Sequence, residues 1–299
     1  MQLSPIALFV YNRLEHTLKT VEALKKNKLA QASELIIFSD GFKNEADKIK
    51  VDEIRKYLKS INGFKTVKIV EKDKNYGLAK SIIAGVTEIV NEYKKIIVLE
   101  DDLLTSPYFL KYMNEALDFY KDSQAVISIS GYAYPVKVKL PETYLLRGAD
   151  CWGWATWERG WNLFESDGKK LLEEIINKKL NKEFDYSGSY SYTKMLRDQI
   201  SGLVDSWAIR WHASAFINNK LTLYPGKSLV ENIGFDNSGT NSSSSNKYNS
   251  PLYSEEIKIE NISTQESAEV REIMVNYFKK NFAKPPFLRR IMEKIKKYF

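Results

Sequence analysis

Apolar residues in the first half of the chain switch repeatedly between two periods. Short, near-continuous apolar runs at 6–11, 35–39, 67–70, 96–99 and 126–130 read as buried strands. Between them, apolar positions recur at three- and four-residue spacing over 15–26, 45–61, 78–93 and 107–121, as on one face of a helix. The last of these carries Pro107 in its first turn, where the missing N–H costs nothing. Strands that alternate with helices and are apolar on both faces predict an α/β fold. The expected architecture is a mostly parallel, Rossmann-like sheet flanked by helices.

The second half is less regular. Helical spacing returns over 169–180, 190–201 and 206–219, and a short strand is expected at 221–224. The stretch 151–161 is rich in Trp and Gly and reads as a loop, and 226–250 is rich in Gly, Asn and Ser and reads as a long mobile one. Two closing helices are expected over 265–280 and 287–298. This divides the chain into a catalytic domain over 1–252, with halves over about 1–131 and 132–252, and a C-terminal helical extension over 253–299.

Composition narrows the class. Hydrophobic residues make up 43% and charged residues 28%, as in soluble globular proteins. The single cysteine, Cys151, excludes a disulfide framework and any multi-cysteine cluster. With only His16 and His212, a histidine-based zinc site or a Ser-His-Asp triad is not expected. No stretch reaches the roughly 20 apolar residues that span a bilayer, and the start of the chain does not read as a signal peptide. A cytoplasmic location is therefore expected. The formal charge of +7 would suit phosphate-bearing ligands, anionic lipid or nucleic acid. The positive charge is scattered, so no nucleic-acid partner is expected.

Ligands of open parallel sheets bind beyond the carboxyl ends of the strands. The acids of KIIVLEDD, residues 95–102, emerge at such an end. Strand alternation would send Glu100 and Asp102 one way and Asp101 the other. Clustered carboxylates repel unless a cation neutralises them, and Mn²⁺ or Mg²⁺ does so with one or two protein ligands plus phosphate oxygens. The competing reading is a solvated acidic turn ahead of the helix from Pro107.

FVYNR at 9–13, FSDG at 38–41, LEDDLLTSPYFLKYM at 99–113, CWGWATW at 151–157 and VDSWAIRW at 204–211 together resemble GT-A glycosyltransferases. The similarity covers roughly Pro5 to Thr240, and the acidic motif with its Pro-aromatic helix is its most specific part. It is nearest to bacterial surface-polysaccharide transferases and more distant from the Golgi N-acetylglucosaminyltransferase that begins complex N-glycans. The resemblance implies a nucleotide-sugar donor, expected to be a UDP-sugar, and inverting transfer to a glycan or lipid-linked oligosaccharide. It also implies that Asp102 contacts the metal, Asp101 the ribose and Glu100 the donor sugar, with Arg13 and Asp40 in the nucleotide pocket and Asp205 as catalytic base. The Trp-rich loop and the residues after Asp205 depart from the family pattern, so it implies nothing about the acceptor.

Local chemistry leaves alternatives beside these roles. Asp205 stands before an expected helix and could be its N-cap. Trp154, among the four tryptophans 152, 154, 157 and 161, is the expected sugar-stacking ring, although such a cluster can equally plug a core. Lys80, at the start of a helix after Gly77, could attract phosphate or simply be solvated. The stretch 229–240 could close over the diphosphate through Gly234 and Gly239. PPFLRRIMEKIKKYF at 285–299 has the apolar-basic pattern of an interfacial helix on anionic membrane, or of a helix docked on the domain. A retaining transferase, a sugar nucleotidyltransferase and a non-catalytic carbohydrate- or membrane-binding protein are the rival functions.

Overall fold

Ile6–Val10 (β1) is buried at every position and is the axis from which the sheet grows in both directions. The computed structural model describes residues 2–236 and 246–282. After β1 come α1 (Leu14–Lys25), β2 (Glu34–Ser39), α2 (Glu45–Leu58), β3 (Thr66–Glu71), α3 (Leu78–Tyr93) and β4 (Lys95–Glu100). The chain continues through β5 (Leu103–Thr105), α4 (Phe109–Phe119), β6 (Val126–Ser130), β7 (Thr143–Arg147), β8 (Trp154–Trp157) and α5 (Glu158–Trp161). It then forms α6 (Gly168–Asn177), α7 (Asn181–Phe184), α8 (Tyr192–Ile200), α9 (Trp207–Ile217), β9 (Leu221–Pro225), β10 (Val230–Asn232) and α10 (Ala268–Phe282).

The main sheet has the order β3-β2-β1-β4-β8-β6-β9-β7. Neighbours from β3 to β4 are parallel, β8 runs antiparallel between β4 and β6, and β7 closes the far edge antiparallel to β9. The chain winds outward from β1 to β3 and then returns to the other side of β1 with β4, so β1 and β4 flank a topological switch point.

The apolar strands feed both faces because their side chains alternate. Leu8, Leu35, Ile37, Ile97 and Leu99 pack with Leu24, Leu58 and Met113 under α1, α2 and α4. Phe9, Ile36, Phe38 and Val98 pack instead with Ile82, Val86 and Trp211 under α3 and α9. The α/β sandwich expected from the first half is thereby borne out. The C-terminal helix α10 docks on the β7 edge through Val270, Met274 and Phe278 against Tyr144, Leu146 and Tyr224. Residues 283–299, including the basic stretch expected to meet a membrane, lie outside the described residues, as do 237–245. Among the described residues no helix is long and apolar enough to cross a membrane.

Two expectations need correction. The Trp-rich stretch is not a loop, because Trp154–Trp157 is a fully buried strand inside the sheet. Trp-Ala-Thr-Trp has the bulky, β-favouring positions that a strand covered on both faces requires. Trp154 is consequently 0% exposed, stacked behind Trp207 at 5.4 Å and packed near Trp161 and Trp211 at 5.8 Å each. It belongs to the core and cannot stack on a sugar. Likewise the first part of 226–250 is not mobile loop, since Leu229 and Val230 are fully buried and β10 pairs with β5.

Trp154→Ala should therefore destabilise the protein by about 3–5 kcal/mol in urea unfolding. A loss below about 1 kcal/mol would reject its assignment to the core.

Candidate functional site

Beyond the carboxyl ends of β1, β2 and β4 the sheet opens into a cavity of about 990 Å³. Six of the expected site residues line it: Arg13, Asp40, Glu100, Asp101, Asp102 and Asp205. Lys80 and Trp154 do not. Lys80 is exposed on the first turn of α3, where Ser81 takes the wall position, so its phosphate contact has no support from the cavity.

The acids sit differently from the strand-alternation expectation. β4 ends at Glu100 and the chain turns at once, so alternation stops there and all three acids face the cavity. The Arg13 guanidinium lies between Asp101 and Asp102, in close contact with the first and 2.8 Å from Asp102 Oδ2. Two backbone contacts fix the turn. The Thr20 hydroxyl on α1 donates to the Asp101 carbonyl at 2.8 Å, and the Ile233 N–H after β10 donates to the Asp102 carbonyl at 2.9 Å. Gly234 follows so closely that a Cβ there would stand 2.2 Å from Asp102 Oδ2. It thus serves a close approach to Asp102, in a segment that the pairing of β10 holds in place; Gly239 lies outside the described residues.

Electrostatically the turn is short of positive charge. Burial pushes Glu100 up, and the carboxylates of Asp102 and Asp101 push it further, to about 8. Burial also raises Asp101 against the opposing pull of Arg13. Burial works against the charge on Arg13, but Asp101 and Asp102 outweigh it and hold the guanidinium firmly cationic.

Asp40 ends β2 and organises the floor beside this turn. Its carboxylate accepts from the N–H groups of Gly41 at 3.0 Å, Tyr76 at 3.0 Å and Gly77 at 2.9 Å, tying β2 to the loop before α3. Gly77, with φ of 80°, begins that helix. The Asp205 carboxylate comes close to this floor, with Oδ2 3.7 Å from the point where a Gly77 side chain would start. The capping role that competed for Asp205 is taken by Ser206, whose hydroxyl accepts from the Ile209 N–H at 3.3 Å. Asp205 itself is left on the rim with its side chain 66% exposed, 3.9 Å from Arg210.

The remaining wall is aromatic: Trp152, Tyr134, Tyr190, Tyr192, Tyr248 and Phe282 line it. Sequence reading had chosen the wrong tryptophan of the cluster, and Trp152 is the one that reaches the cavity. It also passed over Asp150, a lining carboxylate immediately before the CWGW motif. A lone acid ahead of an aromatic run gives little warning of a site. His212, taken as a packing residue, is buried beside it and pushed down to about 4 by burial, so it is neutral near pH 7.

A hard divalent cation fits the acidic turn on two grounds. Three carboxylates face one guanidinium, and the oxygen donors are of the type such cations take. Among the described residues no three acids, histidines or cysteines are grouped to hold a metal by themselves. A cation on Asp102 would thus complete its coordination with ligand and water oxygens.

Residues 6–179, more than half of the chain, match the family profile described as Glycosyl transferase family 2. No curated protein sequence matches it. Among solved structures, residues 1–349 of TarS from S. aureus share 11% identity at a TM-score of 0.44, covering 76% of this chain and 59% of that one. The mannosyltransferase PcManGT from Pyrobaculum calidifontis, solved with GDP-Man and Mn²⁺, shares 12% identity at a TM-score of 0.34, covering 44% of this chain and 36% of that one. The chain thus spans less than two thirds of the length of either structure.

Because Glu100 holds its proton more tightly folded than unfolded, its contribution to stability is complete below its ordinary value of 4.5 and is lost as pH rises through about 8. In metal-free urea unfolding, wild type should lose more stability between pH 5 and pH 8 than Glu100→Gln does; parallel profiles would refute the assignment. Gly234→Ala should force the Asp102 carboxylate and the 233–234 backbone apart and destabilise the protein by about 1 kcal/mol or more in urea unfolding. Unchanged stability would refute the close packing of Gly234 on Asp102.

Proposed function

This chain belongs to glycosyl transferase family 2, and on that premise we propose that it is an inverting glycosyltransferase using a UDP-sugar. The observation that carries the reading is the meeting, in one cavity, of an acidic turn suited to a metal-diphosphate and an accessible Asp205 that does not cap its helix. An inverting transfer needs those two elements on opposite sides of the reacting carbon: charge stabilisation behind the leaving diphosphate and a proton acceptor in front.

The acceptor hydroxyl attacks the anomeric carbon from the face opposite the diphosphate. Its proton passes to the Asp205 carboxylate. The bond from the anomeric carbon to the diphosphate oxygen breaks, and the electron pair leaves with UDP. Asp102 would hold a divalent cation, Mn²⁺ or Mg²⁺, which would supply charge neutralisation to the diphosphate. Arg13 holds Asp101 and Asp102 in place, with Asp101 directed to the ribose, Glu100 to the donor sugar and Asp40 to the base side of the pocket. Asp40 does this chiefly by fixing the backbone of 76–77.

In this reading about 1–131 are the donor half and about 132–252 the acceptor half of the catalytic domain, and the basic end of the C-terminal extension over 253–299 meets anionic lipid at the cytoplasmic face. The acceptor is a glycan or lipid-linked oligosaccharide of a surface polysaccharide.

A nucleotide-sugar screen tests the proposal. One UDP-sugar with Mn²⁺ should raise the melting temperature and be turned over with inversion at the anomeric carbon, read by NMR. Asp102→Ala should lose the metal-dependent stabilisation. Asp205→Asn should keep it and turn over about 10²–10⁴-fold more slowly. Retained anomeric configuration, or full turnover by Asp205→Asn, would overturn the mechanism.

A further inference from the structure

The aromatic half of the cavity has the makings of a second binding element, and Asp150 stands in it. Its Oδ1 accepts from the Cys151 N–H at 2.7 Å, and the Trp152 N–H also points to the carboxylate. Among the described residues Asp150 takes part in no salt bridge, and burial raises its pKa. A carboxylate has about four lone-pair sites, so two backbone donors leave part of its capacity unmet. Asp150 is only partly buried and lines the cavity, so a ligand there can supply further donors to it.

An orphan atom lies close by in the fold. His212 Nδ1 is engaged by the backbone of Ala149, at 2.8 Å from its oxygen, but Nε2 is buried and has no hydrogen-bond partner among the described residues. The ring is 5% exposed, stacks on Tyr192 at 4.3 Å and lines the same cavity. Around these two polar groups the walls are flat and aromatic. Trp152 meets Tyr248 edge to face at 5.4 Å, Tyr190 packs on Tyr192 at 4.6 Å, and the Tyr190 and Tyr248 hydroxyls bond at 2.8 Å.

We infer that this half of the cavity seats a neutral pyranose ring of the acceptor, with Asp150 as a positioning carboxylate for its hydroxyls. The inference rests on the glycosyltransferase reading and adds the class of acceptor sugar. Aromatic faces suit the C–H side of a sugar ring, and a partly satisfied carboxylate suits the hydroxyls on its edge. The same carboxylate repels an anionic group, so a uronic acid or a sugar phosphate is disfavoured at this position. Lys247 lies over the Phe282 ring at 5.2 Å, on the wall formed by the end of α10.

Saturation-transfer NMR with simple glycosides tests this on the full chain. Methyl glucoside, galactoside and N-acetylglucosaminide are the neutral probes, and methyl glucuronide is the anionic one. At least one neutral glycoside should bind, and the glucuronide should bind at least tenfold more weakly than the best of them. Asp150→Asn should weaken the neutral glycoside at least tenfold and narrow its advantage over the glucuronide, a change in selectivity that mere loosening of the fold would not produce. Trp152→Leu should weaken the neutral glycoside similarly and serves if Asp150→Asn does not fold. Absence of neutral binding, equal binding of the glucuronide, or indifference to both substitutions overturns the inference. Mn²⁺-dependent stabilisation of wild type by UDP is measured alongside. If UDP stabilises and no glycoside binds, only the acceptor seat fails; if UDP does not stabilise, the reading beneath it fails.

Discussion

The contact between one guanidinium and the acids at the end of β4 is the constraint around which the site is built. Arg13 reaches Asp101 and Asp102 only because β1 and β4 are neighbours, and they are neighbours because the winding order reverses there. The turn is then clamped from two unrelated parts of the chain, by Thr20 on α1 and by Ile233 after β10. The arrangement keeps three carboxylates together at a buried point with too little positive charge for all of them, which is why Glu100 is driven so far above its ordinary range. A site in that condition favours any ligand that brings further positive charge.

The rest of the cavity divides by chemistry. The β1–β4 side contributes acids, a guanidinium and backbone donors, whereas the side built by the β7–β8 connection, the chain before α8 and the end of α10 contributes rings. The strand β8 joins the two. Its tryptophans are consumed by the core, and Trp152, just ahead of it, turns into the cavity. The buried strand therefore fixes the direction of the one ring of this tryptophan cluster that lines the cavity.

Sequence reading was strong where a single period governs several residues. The strands of the first half and the helices between them follow from apolar spacing, because each buried face must be matched by another layer. It was weaker where one residue decides. Asp205 and Ser206 are both good capping residues, and only the backbone at the start of α9 shows that Ser206 takes the cap. Strand alternation misled at Asp101 because the strand stops one residue earlier. Trp152 and Trp154 are two apart and indistinguishable by composition, but one is in the sheet and the other before it. The stretch around Val230 looked polar and mobile because its pairing partner, β5, is itself only three residues long.

Asp150 was silent for a different reason. An isolated acid has meaning only through what surrounds it, and the wall around it comes largely from α8, α9 and the stretch at Tyr248, distant in sequence and brought together only by the fold. The parallel half announces its site, because every strand delivers a polar residue at the same end. The antiparallel half obeys no such rule, so its chemistry is legible only after folding. The cavity is divided accordingly: the acidic half at the parallel strand ends follows a general rule of sheet architecture, and the aromatic half is assembled from residues that no such rule predicts.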